Sequence, residues 1–139
     1  MQSCFSAGTA FWVNISEPWN RDRHLYTIIS DPTNFPDNVV YVNFTSLDTT
    51  APLTDVENDR ACVVTAGEHP FIEHLSCVCY GGAHECSLYH LQCRYDKGSI
   101  RLHTDPVDSP LLEKIRVGAR DSIHFPFAYR QIMMDQGLI

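Results

Sequence analysis

Side chains of the types that bind zinc are concentrated between positions 77 and 93. They are Cys77, Cys79, His84, Cys86, His90 and Cys93. A structural zinc site needs four such ligands in a tetrahedron. Cys77 and Cys79 alternate along a predicted strand, so both thiols can point to one face, but the usual Cys-x-x-Cys pair does not occur. A zinc-stabilised accessory domain is one alternative, and reduced thiols packed beside β-strands are the simpler interpretation.

The cysteines are expected to remain reduced. Residues 1–15 have neither the basic start nor the long apolar run of a signal peptide. No window reaches the roughly 18 apolar residues of a membrane span. We therefore expect a cytoplasmic protein without a membrane anchor, in which thiols behave as small apolar groups. A chain of 139 residues can also bury enough surface to fold without a disulfide, a metal or another cofactor.

The charge is acidic and unevenly distributed. The formal net charge is −7 with histidine neutral. This argues against a protein that coats itself with nucleic acid nonspecifically, because such binding needs clustered Lys and Arg. Arg21 and Arg23 are the only bases in the first 59 residues. Any site for an anion must therefore be local.

The elements that position these groups are predicted to be mostly β. β-branched and aromatic runs bounded by turn residues predict short strands. They cover residues 9–15, 25–30, 39–45, 61–65, 76–80 and 99–103, and residues 88–95 form either a further strand or a short helix. Gly81 and Gly82 are predicted to end the strand over 76–80.

The pattern changes to helical spacing near the C-terminus. Ser109 is predicted as an N-cap with Pro110 at the first helical position. A second helix is predicted over residues 126–136. We expect a β-domain over residues 1–105, a small barrel or curled sheet, with a helical extension over residues 106–139 packed on the same domain.

The order of elements resembles that of a known family. A strand starts near Gly8, a loop ends at Arg23, a strand runs to Ser30, a loop contains Asn34, and a strand ends at Thr45 and Ser46. Over about residues 7–80 this resembles the MazF/PemK family of toxins. The resemblance implies an SH3-like barrel of five to seven strands, metal-independent cleavage of single-stranded RNA, a homodimer and an antitoxin-like partner.

The resemblance places Arg23, Thr45 and Ser46 in a site, and the chemistry of RNA cleavage adds the other candidates. RNA is cut when its own 2′-hydroxyl attacks the adjacent phosphorus, which requires a proton acceptor, a proton donor and stabilisation of the phosphate charge. The candidate catalytic residues are Arg23, Thr45, Ser46, His69 and His74, and the candidate RNA-binding residues are Trp19, His24, Tyr26 and Phe71. His24 is also a candidate for the proton transfer. Aromatic side chains can stack on unpaired bases.

Each of these residues has a structural alternative. His69 precedes Pro70 and can be an extended turn residue. Thr45 and Ser46 end a strand, where such residues commonly close a turn. A noncatalytic SH3-like module that binds a peptide through an aromatic groove is the alternative function.

Overall fold

The fold is a six-stranded antiparallel sheet with three α-helices, seen in a computed structural model that describes residues 3–13 and 24–139. The strands are β1 (Ala10–Val13), β2 (Tyr26–Ile28), β3 (Val39–Ser46), β4 (Val63–Val64), β5 (Ser76–Cys86) and β6 (Ile100–Leu102). The helices are α1 (Leu88–Asp96), α2 (Ser109–Asp121) and α3 (Phe127–Asp135), and a short 3-10 helix spans Val56–Asn58.

The sheet is open. Its strand order is β4-β5-β3-β2-β1-β6, and every pairing is antiparallel. Within residues 3–13 and 24–139, no pairing joins β4 to β6, so this sheet does not close into a barrel. The prediction of a sheet-based fold with C-terminal helices is confirmed. The closed barrel is not observed.

The central strand β3 separates two apolar clusters. Successive side chains of a strand point to opposite faces. Val40, Val42 and Phe44 belong to the larger cluster, which also contains Ile115 of α2 and Met133 of α3. The C-terminal helices therefore cover one face of the sheet and share its core.

The opposite face of β3 is covered along only part of its length. Val39 and Tyr41 pack in the second cluster with Leu91 of α1. Asn43 and Thr45 continue the same face toward the end of β3. The residues on this part of the face are polar, and they lead into the cavity described below.

The prediction that Gly81 and Gly82 end a strand is wrong. Strand β5 continues through both glycines to Cys86. Its pairing with β3 shifts between Tyr41, which faces His84, and Asn43, which faces Cys79. The extra residues of β5 form a bulge, a feature that glycine often marks inside a strand.

The helix starts follow capping chemistry. Residues 88–95, which were predicted as either strand or helix, form α1, and the Ser87 side chain accepts a hydrogen bond from the amide of His90. The N-cap of α2 is Asp108 and not Ser109, because the Asp108 carboxylate accepts from the amide of Leu111 at 3.0 Å. Helix α3 ends just before Gly137, whose φ of 74° favours glycine.

Candidate functional site

A cavity of about 780 Å³ lies on the sheet at the ends of β2, β3 and β5. It combines histidines, hydroxyls, aromatic rings and two carboxylates. The lining residues that carry the discussion below are His24, Tyr26, Asn43, Thr45, Ser46, Glu57, Phe71, Glu73, His74, Cys79, Gly82 and His84. Of the nine site residues predicted from the sequence, six line it: His24, Tyr26, Thr45, Ser46, Phe71 and His74.

Ser46 and His74 are in direct contact. The Ser46 hydroxyl oxygen lies 2.6 Å from His74 Nε2, and both side chains are exposed. Ser46 ends β3 opposite Ser76, two residues beyond His74. The Ser76 hydroxyl donates to the His74 carbonyl at 2.9 Å, which fixes the backbone that carries the imidazole. The pair therefore has a defined geometry although it faces solvent.

His24 is held in one tautomer. Its Nδ1 lies 3.2 Å from the carbonyl oxygen of Phe44. A carbonyl oxygen can only accept, so Nδ1 carries the proton. In the neutral ring Nε2 is then the unprotonated nitrogen, which is the arrangement that a general base requires.

Tyr26 lines the cavity beside two other rings, those of His84 and Tyr41. Its ring centroid lies 6.0 Å from that of His84 and 5.7 Å from that of Tyr41. Burial raises the pKa of the Tyr26 hydroxyl, so this group remains a hydrogen-bond donor at neutral pH. Phe71 packs edge-on against Trp12 at 6.2 Å. These rings offer faces and edges on which a planar ligand can stack.

The cavity is also acidic. The exposed residues Glu57 and Glu73 line it, and no Lys or Arg lines it within residues 24–139. Arg23 and Trp19, the predicted phosphate clamp and one predicted stacking residue, lie outside the described residues.

His69 lies elsewhere. It is 2% exposed and does not line the cavity. Its Nδ1 accepts from the amide of Phe71 at 3.1 Å, and its Nε2 donates to the carbonyl of Asp105 at 2.8 Å. Both ring nitrogens are therefore occupied by backbone groups. The geometry supports the turn-residue alternative for this position.

The cysteines and histidines of the 77–93 cluster do not converge. The thiols of Cys77 and Cys79 donate to the carbonyls of Glu57 and Val56, both at 3.7 Å. The His84 ring stacks on Tyr41 at 5.4 Å. In the part of the chain that the structure describes, no three His, Cys, Asp or Glu side chains are placed to hold a metal ion.

Asn43, Gly82, Glu57 and Glu73 were not among the predicted site residues, and Cys79 and His84 were considered only as zinc ligands. Strand alternation could have found Asn43, because it lies on the same face as Tyr41 and Thr45. The glycine pair could have indicated a bulge beside a site. Sequence spacing carries no comparable signal for Glu57, which reaches the cavity from the short 3-10 helix Val56–Asn58.

None of the helices in residues 3–13 and 24–139 has the length and apolarity needed to cross a bilayer. No protein-family model matches this sequence, and searches of the curated proteins and of the solved structures found no match.

Proposed function

We propose that the cavity binds single-stranded RNA and cleaves it by metal-independent acid–base chemistry. The observation that carries this proposal is the Ser46–His74 contact of 2.6 Å in a cavity that also contains His24. Two imidazoles in one cavity can provide a proton acceptor and a proton donor. Such transfers are typically worth 10²- to 10⁴-fold in rate.

In the proposed reaction His24 Nε2 takes the proton of the 2′-hydroxyl. The 2′-oxygen then attacks the adjacent phosphorus, and the bond from phosphorus to the 5′-oxygen breaks. Protonated His74 gives its proton to that leaving oxygen. The products are a 2′,3′-cyclic phosphate and a free 5′-hydroxyl.

The remaining lining groups have binding roles. The hydroxyls of Thr45 and Ser46 can donate hydrogen bonds to the phosphoryl oxygens. Ser46 also orients His74 through their direct contact. Tyr26, Phe71 and His84 can stack on bases, a contact worth about 1–3 kcal/mol per base. Arg23 directly precedes His24 in the sequence, and its role as the phosphate clamp stays a prediction.

The proposal includes the biology that the resemblance implies. The chain would be a toxin of the MazF/PemK kind, dimeric and restrained by an antitoxin-like protein. The bulged, open sheet would then be a variant of the curled SH3-like sheet of that family.

The test is cleavage of a labelled single-stranded RNA in the presence of a chelator. We expect His24→Ala and His74→Ala each to lower the rate by about 10²-fold or more. Ser46→Ala should cost less, because it removes an orienting hydrogen bond and leaves both imidazoles. His90→Ala is the matched control, since His90 is exposed on α1 and does not line the cavity.

Two outcomes would contradict the proposal. One is intact RNA after long incubation with folded protein. The other is cleavage of an RNA whose scissile nucleotide lacks its 2′-hydroxyl, because that hydroxyl is the nucleophile in the proposed step.

The carboxylates of Glu57 and Glu73, which line the cavity, favour a second candidate function. Carboxylates beside aromatic rings also suit a Lys- or Arg-bearing peptide. A noncatalytic peptide-binding module would bind such peptides with an affinity that falls when Glu57 and Glu73 are replaced by Gln. It would leave RNA intact.

A further inference from the structure

Asn43 is a nearly buried amide on the floor of the cavity. It is 8% exposed, and its backbone pairs with Tyr26 on β2 and with Cys79 on β5. Its Nδ2 makes one long hydrogen bond, 3.4 Å, to the carbonyl of Phe44. Its Oδ1 accepts no hydrogen bond from any residue in the described part of the chain. This oxygen is not sealed off from the cavity, so a ligand that enters the cavity can supply the donor.

Gly82 keeps the space beside this amide open. A Cβ at position 82 would lie 3.3 Å from Asn43 Oδ1 and 3.3 Å from the sulfur of Cys79. Both distances are shorter than ordinary packing contacts. The bulge in β5 therefore places its smallest residue where a ligand can approach the amide oxygen.

The carboxylates that line the cavity are also hydrogen-bond acceptors. Glu57 and Glu73 line the same cavity and, when ionised, can only accept hydrogen bonds. A ligand edge with two N–H groups can donate hydrogen bonds to several of these acceptors at once. A carbonyl oxygen on the ligand would instead be repelled by them, because it carries the same partial charge.

We propose that Asn43 makes the cavity selective for an amino-bearing base, cytosine over uracil, in the RNA that the proposed function takes. This inference rests on that function for the identity of the ligand. Cytosine and uracil have nearly the same shape, so stacking on Tyr26 and His84 discriminates little between them. They differ at the 4-position, where cytosine carries an amino donor and uracil a carbonyl acceptor. Asn43 Oδ1 accepts from the cytosine amino group, whereas the uracil 4-carbonyl offers it no proton.

The test uses short single-stranded oligomers of deoxycytidine and deoxyuridine, which lack the 2′-hydroxyl and cannot be cut by the proposed route. Binding is measured by fluorescence anisotropy. Wild type is expected to bind the cytidine oligomer at least about fivefold more tightly, the lower end for a discriminating base contact. Asn43→Ala should abolish the preference, and Asn43→Asp, which keeps an acceptor at that place, should retain it.

Gly82→Ala provides an independent variant that leaves Asn43 in place. Its methyl group obstructs the approach to the amide, so it should weaken binding of both oligomers. His90→Ala should bind as wild type does. Circular dichroism checks that each variant is folded, and Gly82→Ala together with Asn43→Asp keeps the test decisive if Asn43→Ala does not fold.

Equal binding of the two oligomers by wild type, or no binding of either, would overturn the inference, and so would a preference that survives Asn43→Ala. The two proposals fail separately. A cytidine preference with intact RNA removes the nuclease and keeps the base recognition. Cleavage of RNA without any preference between cytidine and uridine does the reverse.

Discussion

Substituting alanine for Gly118 should destabilise the protein, although this glycine lies inside helix α2. In an open helix interior, glycine to alanine stabilises by about 1 kcal/mol. Here a Cβ at position 118 would lie 2.8 Å from the Cβ of Cys62 and closer still to the Tyr80 hydroxyl oxygen. Tyr80 is fully buried, and its hydroxyl donates to the Ile115 carbonyl at 2.6 Å. The methyl group would force this ring to move.

The magnitude follows from two opposing terms. Overpacking a well-packed core costs about 1–3 kcal/mol. The severity of the contacts places Gly118→Ala near the upper end, so after the helix gain we expect a net loss of about 2 kcal/mol. Tyr80→Phe removes a buried hydrogen bond and should cost about 1 kcal/mol.

The double variant separates this cause from general damage to the helix. With the Tyr80 hydroxyl absent, the closest contact of the new methyl group disappears. Gly118→Ala with Tyr80→Phe should then lose about 1–2 kcal/mol, less than the roughly 3 kcal/mol sum of the single variants. Val117→Ala, next in the helix but exposed, is the control for helix propensity.

The assay is urea unfolding, with the free energy taken from the midpoint at constant slope. The reasoning would be refuted if Gly118→Ala were as stable as wild type. It would also be refuted if the two single losses added fully in the double variant.

Two further predictions concern a capping residue and a histidine pair. Asp108→Ala should lower the free energy of unfolding by about 1 kcal/mol, because the Asp108 carboxylate caps α2. Ser109→Ala should leave this free energy nearly unchanged. Equal losses for the two variants in urea unfolding would contradict the assignment of Asp108 as the N-cap. Burial, followed by the charge of nearby His69, lowers the pKa of His103, whose ring faces His69, Asp105 and Trp12. The unfolded chain therefore binds the proton first, and the unfolding free energy should fall as pH drops below about 6.5. His103→Asn should flatten this fall between pH 7.5 and 5 while His90→Asn does not, and an unchanged slope in His103→Asn would contradict the assignment.

The apolar strands were predictable because burial leaves a local pattern. β3 was predicted over residues 39–45 and spans Val39–Ser46. Its alternating apolar residues serve two cores, one on each face. The path of β5 was not predictable in the same way. A glycine pair usually ends a strand, but here pairing with β3 resumes beyond the bulge, and this tertiary pairing overrides the local preference.

Helix boundaries depended on single side-chain contacts. Ser109 before Pro110 is a good start signal, yet Asp108 is the residue whose carboxylate reaches the amide of Leu111. Residues 88–95 were ambiguous because only Leu91 of α1 is buried, which leaves little helical periodicity to detect. Such choices are decided by packing and capping geometry that no spacing rule contains.

The candidate site depends on strand register more than on local sequence. Ser46 and His74 are far apart along the chain, and each was selected separately as a candidate. They meet because β3 and β5 pair Ser46 with Ser76, which makes His74 the diagonal neighbour that a long side chain can reach. A slip of one residue would turn Ser46 away and would also remove Val40, Val42 and Phe44 from the larger core that buries them. Burial of those three side chains therefore also maintains the contact between the Ser46 hydroxyl and the His74 imidazole, and the geometry on which the proposed function rests is a consequence of the core.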